Sequence, residues 1–317
     1  MVVSYVIRRL LWLLPVLFVV SIITFILMHA VPGGPWASEK HVSAGAQAAL
    51  NARYGLDKSI FQQYLIWLVG DLAGGVQGTG GILRLDFGPS YRYIGRTVNS
   101  ILLDGAPKTI QLGIQAFILS VVVGIPLGIV AALNHNRWPD YLATGVSMLG
   151  IATPSFVLAV LLILIFSVWL KVLPPLGWKG PDTWVLPTIA LAGYQIAQIS
   201  RYTRASMLEV TRKDYIRTAQ SKGIVPRLVV VRHMVRNALI PVVTILGPIL
   251  ANLVTGSFII EYFFGVPGIG RNFVVSIGNR DYAMIMAVTV IYAATVALLN
   301  VVVDVLYGYI DPRIRYS

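Results

Sequence analysis

Cysteine is absent from the 317-residue chain, which excludes disulfide frameworks, thiolate metal sites and cysteine nucleophiles, although it leaves the redox compartment open. Charge is scarce too. Asp, Glu, Lys and Arg make up 12% of the residues against a hydrophobic fraction of 56%, too little polar surface to cover a soluble globule of this size. Such a chain needs lipid as its solvent. Acidic residues number 13 against 25 basic ones, and the net charge of +12 would suggest nucleic acid in a soluble protein. Here the basic residues fall between apolar runs, where membrane orientation explains them, so no nucleic-acid partner is expected. His29, His41 and His135 stand alone, no histidine pair has metal-site spacing, and neither a metal site nor a catalytic residue is expected. A G-x-x-x-x-G-K-[S/T] phosphate loop is also missing, so this chain cannot hydrolyse ATP by the usual route.

What is present is a series of apolar runs. The first, Leu10 to Val31, is 22 residues long, which exceeds the roughly 7 to 15 of a signal-peptide core. Five more follow: Thr109 to Leu133, Tyr141 to Leu170, Trp184 to Ser200, Leu239 to Ile260 and Ala283 to Tyr309. Each is near the ~20 residues that cross a ~30 Å hydrocarbon core. The fourth is interrupted by Gln195 and Gln198, which must face the protein interior or a water-filled path. The expected class is an all-α polytopic membrane protein with about six transmembrane helices.

Arginine and lysine set the orientation. Between Arg201 and Arg236 nine basic residues face only Glu209 and Asp214, which assigns that loop to the cytoplasm. With six spans both termini share that side, in keeping with Arg8-Arg9 and with Arg313 and Arg315. Three regions are expected: residues 1–31 as tip and first span, 32–107 as an external region, and 108–317 as a five-helix core carrying the cytoplasmic loop at 201–238. Within the external region, helical signals from Gln47 to Leu72 give way to the glycine-rich run Gly74 to Gly81, where backbone entropy opposes a helix.

Gly124 and Gly128 form a G-x-x-x-G, and Gly247, Ala251 and Thr255 a small-residue stripe. Either pattern serves internal bundle packing or a subunit interface and pore face. Pro126, Pro154, Pro187 and Pro248 kink or end helices unless neighbours satisfy the freed carbonyls.

The cytoplasmic loop carries the most specific signal. Asp214 can cap a helix that runs through Tyr215, Ile216, Arg217, Thr218 and Ala219 to Lys222, Gly223 can supply a left-handed stop, and Pro226 suits the first turn of a second helix. The short helix places Tyr215, Ile216 and Ala219 together at i, i+3 and i+4 spacing, ringed by cations, and is expected to expose them as a knob for a groove on a partner.

At this point the chain resembles the permeases of ATP-binding-cassette importers, whose loop of this kind reads Glu-Ala-Ala, three residues, then Gly. Arg217-Thr218-Ala219 and Gly223 occupy those positions, though only Ala219 and Gly223 agree, and Val235-Arg236 stands where a proline is usual. The departures resemble the peptide branch, as does Arg232-His233-Met234-Val235-Arg236-Asn237-Ala238-Leu239-Ile240-Pro241. Arg8-Arg9-Leu10-Leu11, Ala30 to Pro35, Tyr54-Gly55-Leu56-Asp57, Asp86-Phe87-Gly88-Pro89-Ser90, Gly265 to Gly270 and Ile310 to Tyr316 look, in order, like the first permease of oligopeptide importers. The glycine-rich stretch Gly70 to Leu83 looks longer than is usual in that family.

The resemblance implies a type I importer permease fold in the bacterial inner membrane and a second homologous permease, as a heterodimer. It also implies two ATPase subunits carrying ATP and Mg, an external substrate-binding protein and an oligopeptide cargo, with dipeptides, nickel or another small solute as the alternative cargo on the same scaffold. This chain would bind no cofactor itself. The coupling residues would be Asp214, Tyr215, Ile216, Arg217, Thr218, Ala219, Lys222, Gly223, Arg232, His233 and Arg236. An outer gate or binding-protein contact would be Glu261, Tyr262, Pro267, Gly268 and Gly270. Beside these, Glu261 can simply sit at the outer interface, Tyr262 to Gly270 can be a surface turn, and Arg201 and Arg204 read as membrane-orienting anchors. His233 suits a helix surface or proton transfer, and Asp304 a functional carboxylate or a structural pairing. A rival ion-coupled carrier would need more membrane-embedded ionisable groups and an inverted repeat. An intramembrane protease would need a serine motif or a second aspartate beside Asp304.

Overall fold

The computed structural model describes residues 2–36, 43–70 and 80–310. His41, most of the glycine run 74–81, and Arg313 and Arg315 lie outside the described residues. In chain order the helices are α1 (Val2–Ala30), α2 (Ala44–Tyr54), α3 (Ile60–Val69), α4 (Val98–Leu133), α5 (Trp138–Ala152) and α6 (Ser155–Leu162). A wider π segment, Ile163–Trp169, extends α6. After it come α7 (Pro181–Thr211), α8 (Asp214–Ser221) and α9 (Pro226–Leu228), the last continued by a π segment at Val229–Val235. The final helices are α10 (Arg236–Thr255), α11 (Phe258–Phe263), α12 (Ile269–Asn279) and α13 (Tyr282–Ile310).

Among the described residues, four stretches are long and apolar enough to cross a membrane: Tyr5–Ala30, Val98–Leu133, Pro226–Phe263 and Tyr282–Val305. The expected third span is not one straight helix. It is the pair α5 and α6, bent by 108°. Pro154 has no N–H to continue the ladder and forces Thr153 into extended backbone (φ −87°, ψ 118°), so α5 must end there. The fourth expected span lies within α7, a 31-residue helix that is more polar than the other long helices, is not among the stretches apolar enough to cross by this measure, and buries Gln195. Pro126, Pro187 and Pro248, by contrast, lie inside continuous helices.

The chain divides into two compact units, Met1–Lys108 with Pro267–Leu298, and Thr109–Val266 with Leu299–Arg315. In the first, α2 and α3 are the short helices that follow α1. Ser43 caps α2 by accepting from the Ala46 N–H, and Gly55 ends it at φ 69°. Ser59 and Gln62 form a capping box on α3. Phe25 and Met28 of α1 bury against Ile285 and Met286 of α13, with Tyr64 and Trp67 of α3 alongside. His29 Nε2 lies 3.0 Å from Gln63 Oε1.

The Asp-Phe-Gly-Pro-Ser segment has a structural purpose in this unit. The buried Asp281 carboxylate accepts from Ser90 Oγ at 2.5 Å, the Tyr91 N–H at 3.2 Å and the Met284 N–H at 3.3 Å, tying that loop to the first turn of α13. Tyr91 stacks against Tyr54 at 4.8 Å, and its burial, with the Asp281 charge second, pushes the phenol well above its ordinary range.

The second unit is organised on α7. Gly124 and Gly128 of α4 press on it, so the G-x-x-x-G is internal packing. A Cβ at Gly128 would lie 2.5 Å from both the Ser200 carbonyl oxygen and Thr203 Cβ. Gly150 of α5 meets the Gly193 carbonyl and Ala197. Ala116 of α4 and Val242, Ile249 and Leu253 of α10 close on Ala192 and Ile199 of α7. Ala251 and Thr255 are buried as well. Asp304 is half-buried on α13 and has an interaction partner.

Two glycine substitutions should therefore move stability in opposite directions. Gly128→Ala overpacks the α4–α7 contact and should cost about 1–3 kcal/mol. Gly145→Ala, where an added Cβ meets nothing within 4 Å, should gain about 0.5–1 kcal/mol from helix propensity. Thermal unfolding of the detergent-solubilised protein reads both, and equal melting temperatures would refute the packing described.

Candidate functional site

Helix α7 carries Arg201 exposed in its second half and ends at Thr211. Lys213 then turns into extended backbone (φ −76°, ψ 144°) and α8 begins. The structure alters the expected capping, since Lys213 occupies the cap position, without a side-chain cap bond, and Asp214 is already in the first turn. There its carboxylate still faces the positive end of the helix dipole. Glu209 pairs with Lys213 at 2.9 Å and holds the ammonium pKa above its ordinary value. Gly223 adopts φ 73° after the helix, which a side chain would strain, and Pro226 sits in the first turn of α9.

A second correction concerns the apolar residues of α8. Ile216 is 1% exposed and Ala219 6%, so they are not a knob offered to a partner. They pack into a core with Met207 and Val210 of α7 and with Val229, Met234 and Ala238. The reason is geometric: residues three apart share one helix face, and in an eight-residue amphipathic helix that face is the only one able to anchor it. What α8 presents outward is Asp214, Tyr215, Arg217 and Thr218, followed by Lys222 and Gly223. Arg232 and Arg236 are exposed further on, and His233 is half-buried with its carbonyl accepting from Asn237. The outward face of α8 is thus polar and charged with one aromatic ring, Tyr215, while Val225, Leu228 and Val231 are the exposed apolar residues that follow it. The Arg217–Asp214 pair at 4.0 Å is solvent-exposed and contributes little.

Arg204 departs from the anchor role. Its Nε and Nη2 donate to Asp140 Oδ1 and Oδ2 at 2.6 and 2.8 Å, a bidentate pair between α7 and the first turn of α5. Asp140 also accepts from the Asn136 N–H at 2.9 Å and from Thr144 Oγ1 at 3.3 Å, and His135 Nδ1 lies 3.3 Å from it. Sequence reasoning passed over Asp140. The available signal was a carboxylate just after Trp138-Pro139, where a helix begins among basic residues.

The residues proposed for the outer gate fall in different units. In the second unit, Gly256 at φ 103° breaks the chain after α10, and Ser257 caps α11 by accepting from the Ile260 N–H. That turn carries Glu261 inward. It is fully buried and accepts from Thr109 Oγ1 at 3.2 Å, so neither surface reading of Glu261 holds. Tyr262 is exposed and stands edge-on to Phe263. In the first unit, Gly268 caps α12 and is buried, as is Gly270, and Pro267 is half-buried. A Cβ on Gly105 would lie 3.1 Å from the Gly268 carbonyl carbon, so α4 begins in close contact with this turn.

Comparison with known proteins agrees across the whole chain. Residues 124–316 match the family described as binding-protein-dependent transport system inner membrane component, and residues 2–113 match the N-terminal model of such membrane components. The dipeptide transport system permease protein DppB of Bacillus subtilis is 42% identical over 311 residues, 98% of this chain and 97% of that protein. The oligopeptide transport system permease protein OppB of Haemophilus influenzae is 40% identical over 316 residues, 99% of each chain. Among solved structures, the MetNI methionine ABC transporter in an inward-facing conformation aligns with a TM-score of 0.57 at 18% identity, over 67% of this chain and 97% of that one. This last likeness concerns the fold.

The anchoring of α8 has a direct test. Ile216→Ala should remove about 2–5 kcal/mol of local packing and speed hydrogen exchange of the 214–221 amides. Tyr215→Ala, at an exposed position, should leave exchange unchanged. Identical exchange in the two variants would contradict the burial pattern.

Proposed function

The chain belongs to the family of inner-membrane components of binding-protein-dependent transport systems, and from that premise we propose that it is one permease subunit of an ATP-driven peptide importer. It forms half of the translocation path beside a second, homologous permease. An external binding protein delivers the cargo, and two ATPase subunits, carrying ATP and Mg, supply the energy from the cytoplasm. The relatives named for dipeptide and oligopeptide transport support a peptide cargo.

The observation that carries this reading is α8. It is a short helix outside the spans, pinned through Ile216 and Ala219 to α7 and to the helix leading into α10, with a basic, polar face left exposed. Nine basic residues between Arg201 and Arg236 support a cytoplasmic position, and with it cytoplasmic termini. A cationic surface bearing Tyr215 suits a partner groove lined by acidic groups and apolar walls. When ATPase subunits close, a helix fixed to α7 by its buried face passes the displacement on as a rigid body. The exposed Tyr262 supports a role for the α11 turn at the outer face, with Glu261 holding the turn from inside.

In reconstituted vesicles containing the partner subunits, peptide uptake should require ATP and the binding protein. Uptake driven by a proton gradient without any ATPase would overturn the proposal. Gly223→Pro replaces a φ of 73° by one near −65°, and Arg217→Glu reverses the exposed charge. Each should leave membrane insertion intact and lower uptake per ATP hydrolysed about tenfold, the scale of a typical coupling free energy.

A further inference from the structure

We infer that Asp140 and Arg204 are positioning residues that make the bent pair α5–α6 follow the coupling helix α8, an inference that rests on the coupling role proposed above. Both oxygens of Asp140 are engaged by Arg204, at 2.6 and 2.8 Å. The Asp140 side chain is 3% exposed and that of Arg204 28%. The loop between α4 and α5 closes over the pair. Asn136 takes a left-handed backbone conformation at φ 59°, which asparagine tolerates better than other side-chain-bearing residues, and its N–H donates to the same carboxylate at 2.9 Å. His135 Nδ1 lies 3.3 Å from both Asp140 Oδ2 and Arg204 Nη2.

A buried ion pair is a poor way to gain stability, because desolvation offsets most of the attraction and apolar residues of similar volume hold as well or better. What a bidentate pair adds is direction, since it is satisfied at one alignment of the two helices and broken by a slip of an ångström or two. Its place in the chain gives that alignment a use. Met207 and Val210, on which Ile216 and Ala219 sit, follow Arg204 on α7 by one and two turns, about 10 Å at most. Any displacement of α8 therefore reaches Arg204 along an unbroken helix, and passes through the carboxylate to the first turn of α5. Near its other end α5 touches α7 again, where a Cβ on Gly150 would lie 3.1 Å from the Gly193 carbonyl oxygen. Helix α5 also packs along α7 between these two points, so the ion pair adds a fixed direction to a contact that packing alone would leave free to slide. The 108° bend at Thr153–Pro154 follows directly, so α6 is carried by the same body.

The test uses the complete reconstituted importer. Asp140→Asn and Arg204→Gln should lower peptide transported per ATP hydrolysed about tenfold while ATP hydrolysis continues. The paired replacement Asp140→Leu with Arg204→Met should recover the melting temperature yet remain uncoupled, because it restores packing without direction. Transport restored by that apolar pair would reduce the ion pair to a structural role and overturn the inference. The absence of cysteine allows unique spin labels at the exposed positions Tyr141 and Lys222. Their separation should stay constant between nucleotide states in the parent chain and vary in Asp140→Asn; equal variation in both would also overturn it. If Gly223→Pro uncouples transport while the Asp140 and Arg204 variants do not, the clamp alone fails. If none of them uncouples, the coupling role of α8 fails with it.

Discussion

Hydrocarbon offers no hydrogen bonds, so each backbone amide that crosses it must find its partner within its own segment. That constraint governs this chain. It accounts for the 36-residue α4, the 31-residue α7 and the 29-residue α13, and it explains why proline inside α4, α7 and α10 leaves those helices continuous. It also explains why the breaks at Thr153–Pro154 and Gly256 are local. Each is flanked at once by a new helix, and at Gly256 the N–H still reaches the Leu253 carbonyl at 3.3 Å.

Because lipid tails are as apolar as leucine, burial of apolar area cannot by itself bring these helices together. Close backbone approach does so instead. Gly124, Gly128 and Gly150 lie where α4 and α5 meet α7; a methyl group at Gly128 would collide with the Ser200 carbonyl oxygen, and at Gly124 and Gly150 it would press on α7 at 3.0 Å. The polar groups then decide which pieces move together. Asp140 with Arg204 in the second unit and Asp281 with Ser90 in the first are directional, and each bonds a buried carboxylate at the start of a helix to a distant part of the chain. Neither draws on an apolar surface.

Helix α8 follows the rules of water rather than of lipid. Its buried stripe, Ile216 and Ala219, is the part that attaches it to the protein, and what remains outward is charge and one ring. Family membership and the position of this helix together give the chain its reading as a transmitter between an energy source and a path. The chemistry of ATP belongs to other subunits in that reading.

Composition and the apolar runs determined the membrane class, the helical fold and the approximate spans, because length and hydropathy are local quantities that a bilayer reads directly. Capping chemistry was equally local. Gly223 and Pro226 act where their sequence context placed them, and Asp214 misses the cap position by one residue. Only the tertiary structure decided which face of a helix is covered. Ile216 and Ala219 at helical spacing are compatible with a knob or an anchor, and Glu261 with a surface or an interior, until the neighbours are known. The same holds for Arg204, which looks like any cytoplasmic arginine until α5 brings Asp140, 64 residues away in sequence, within 2.6 Å. Pairing across such a separation is set by packing, and a single sequence carries no local trace of it.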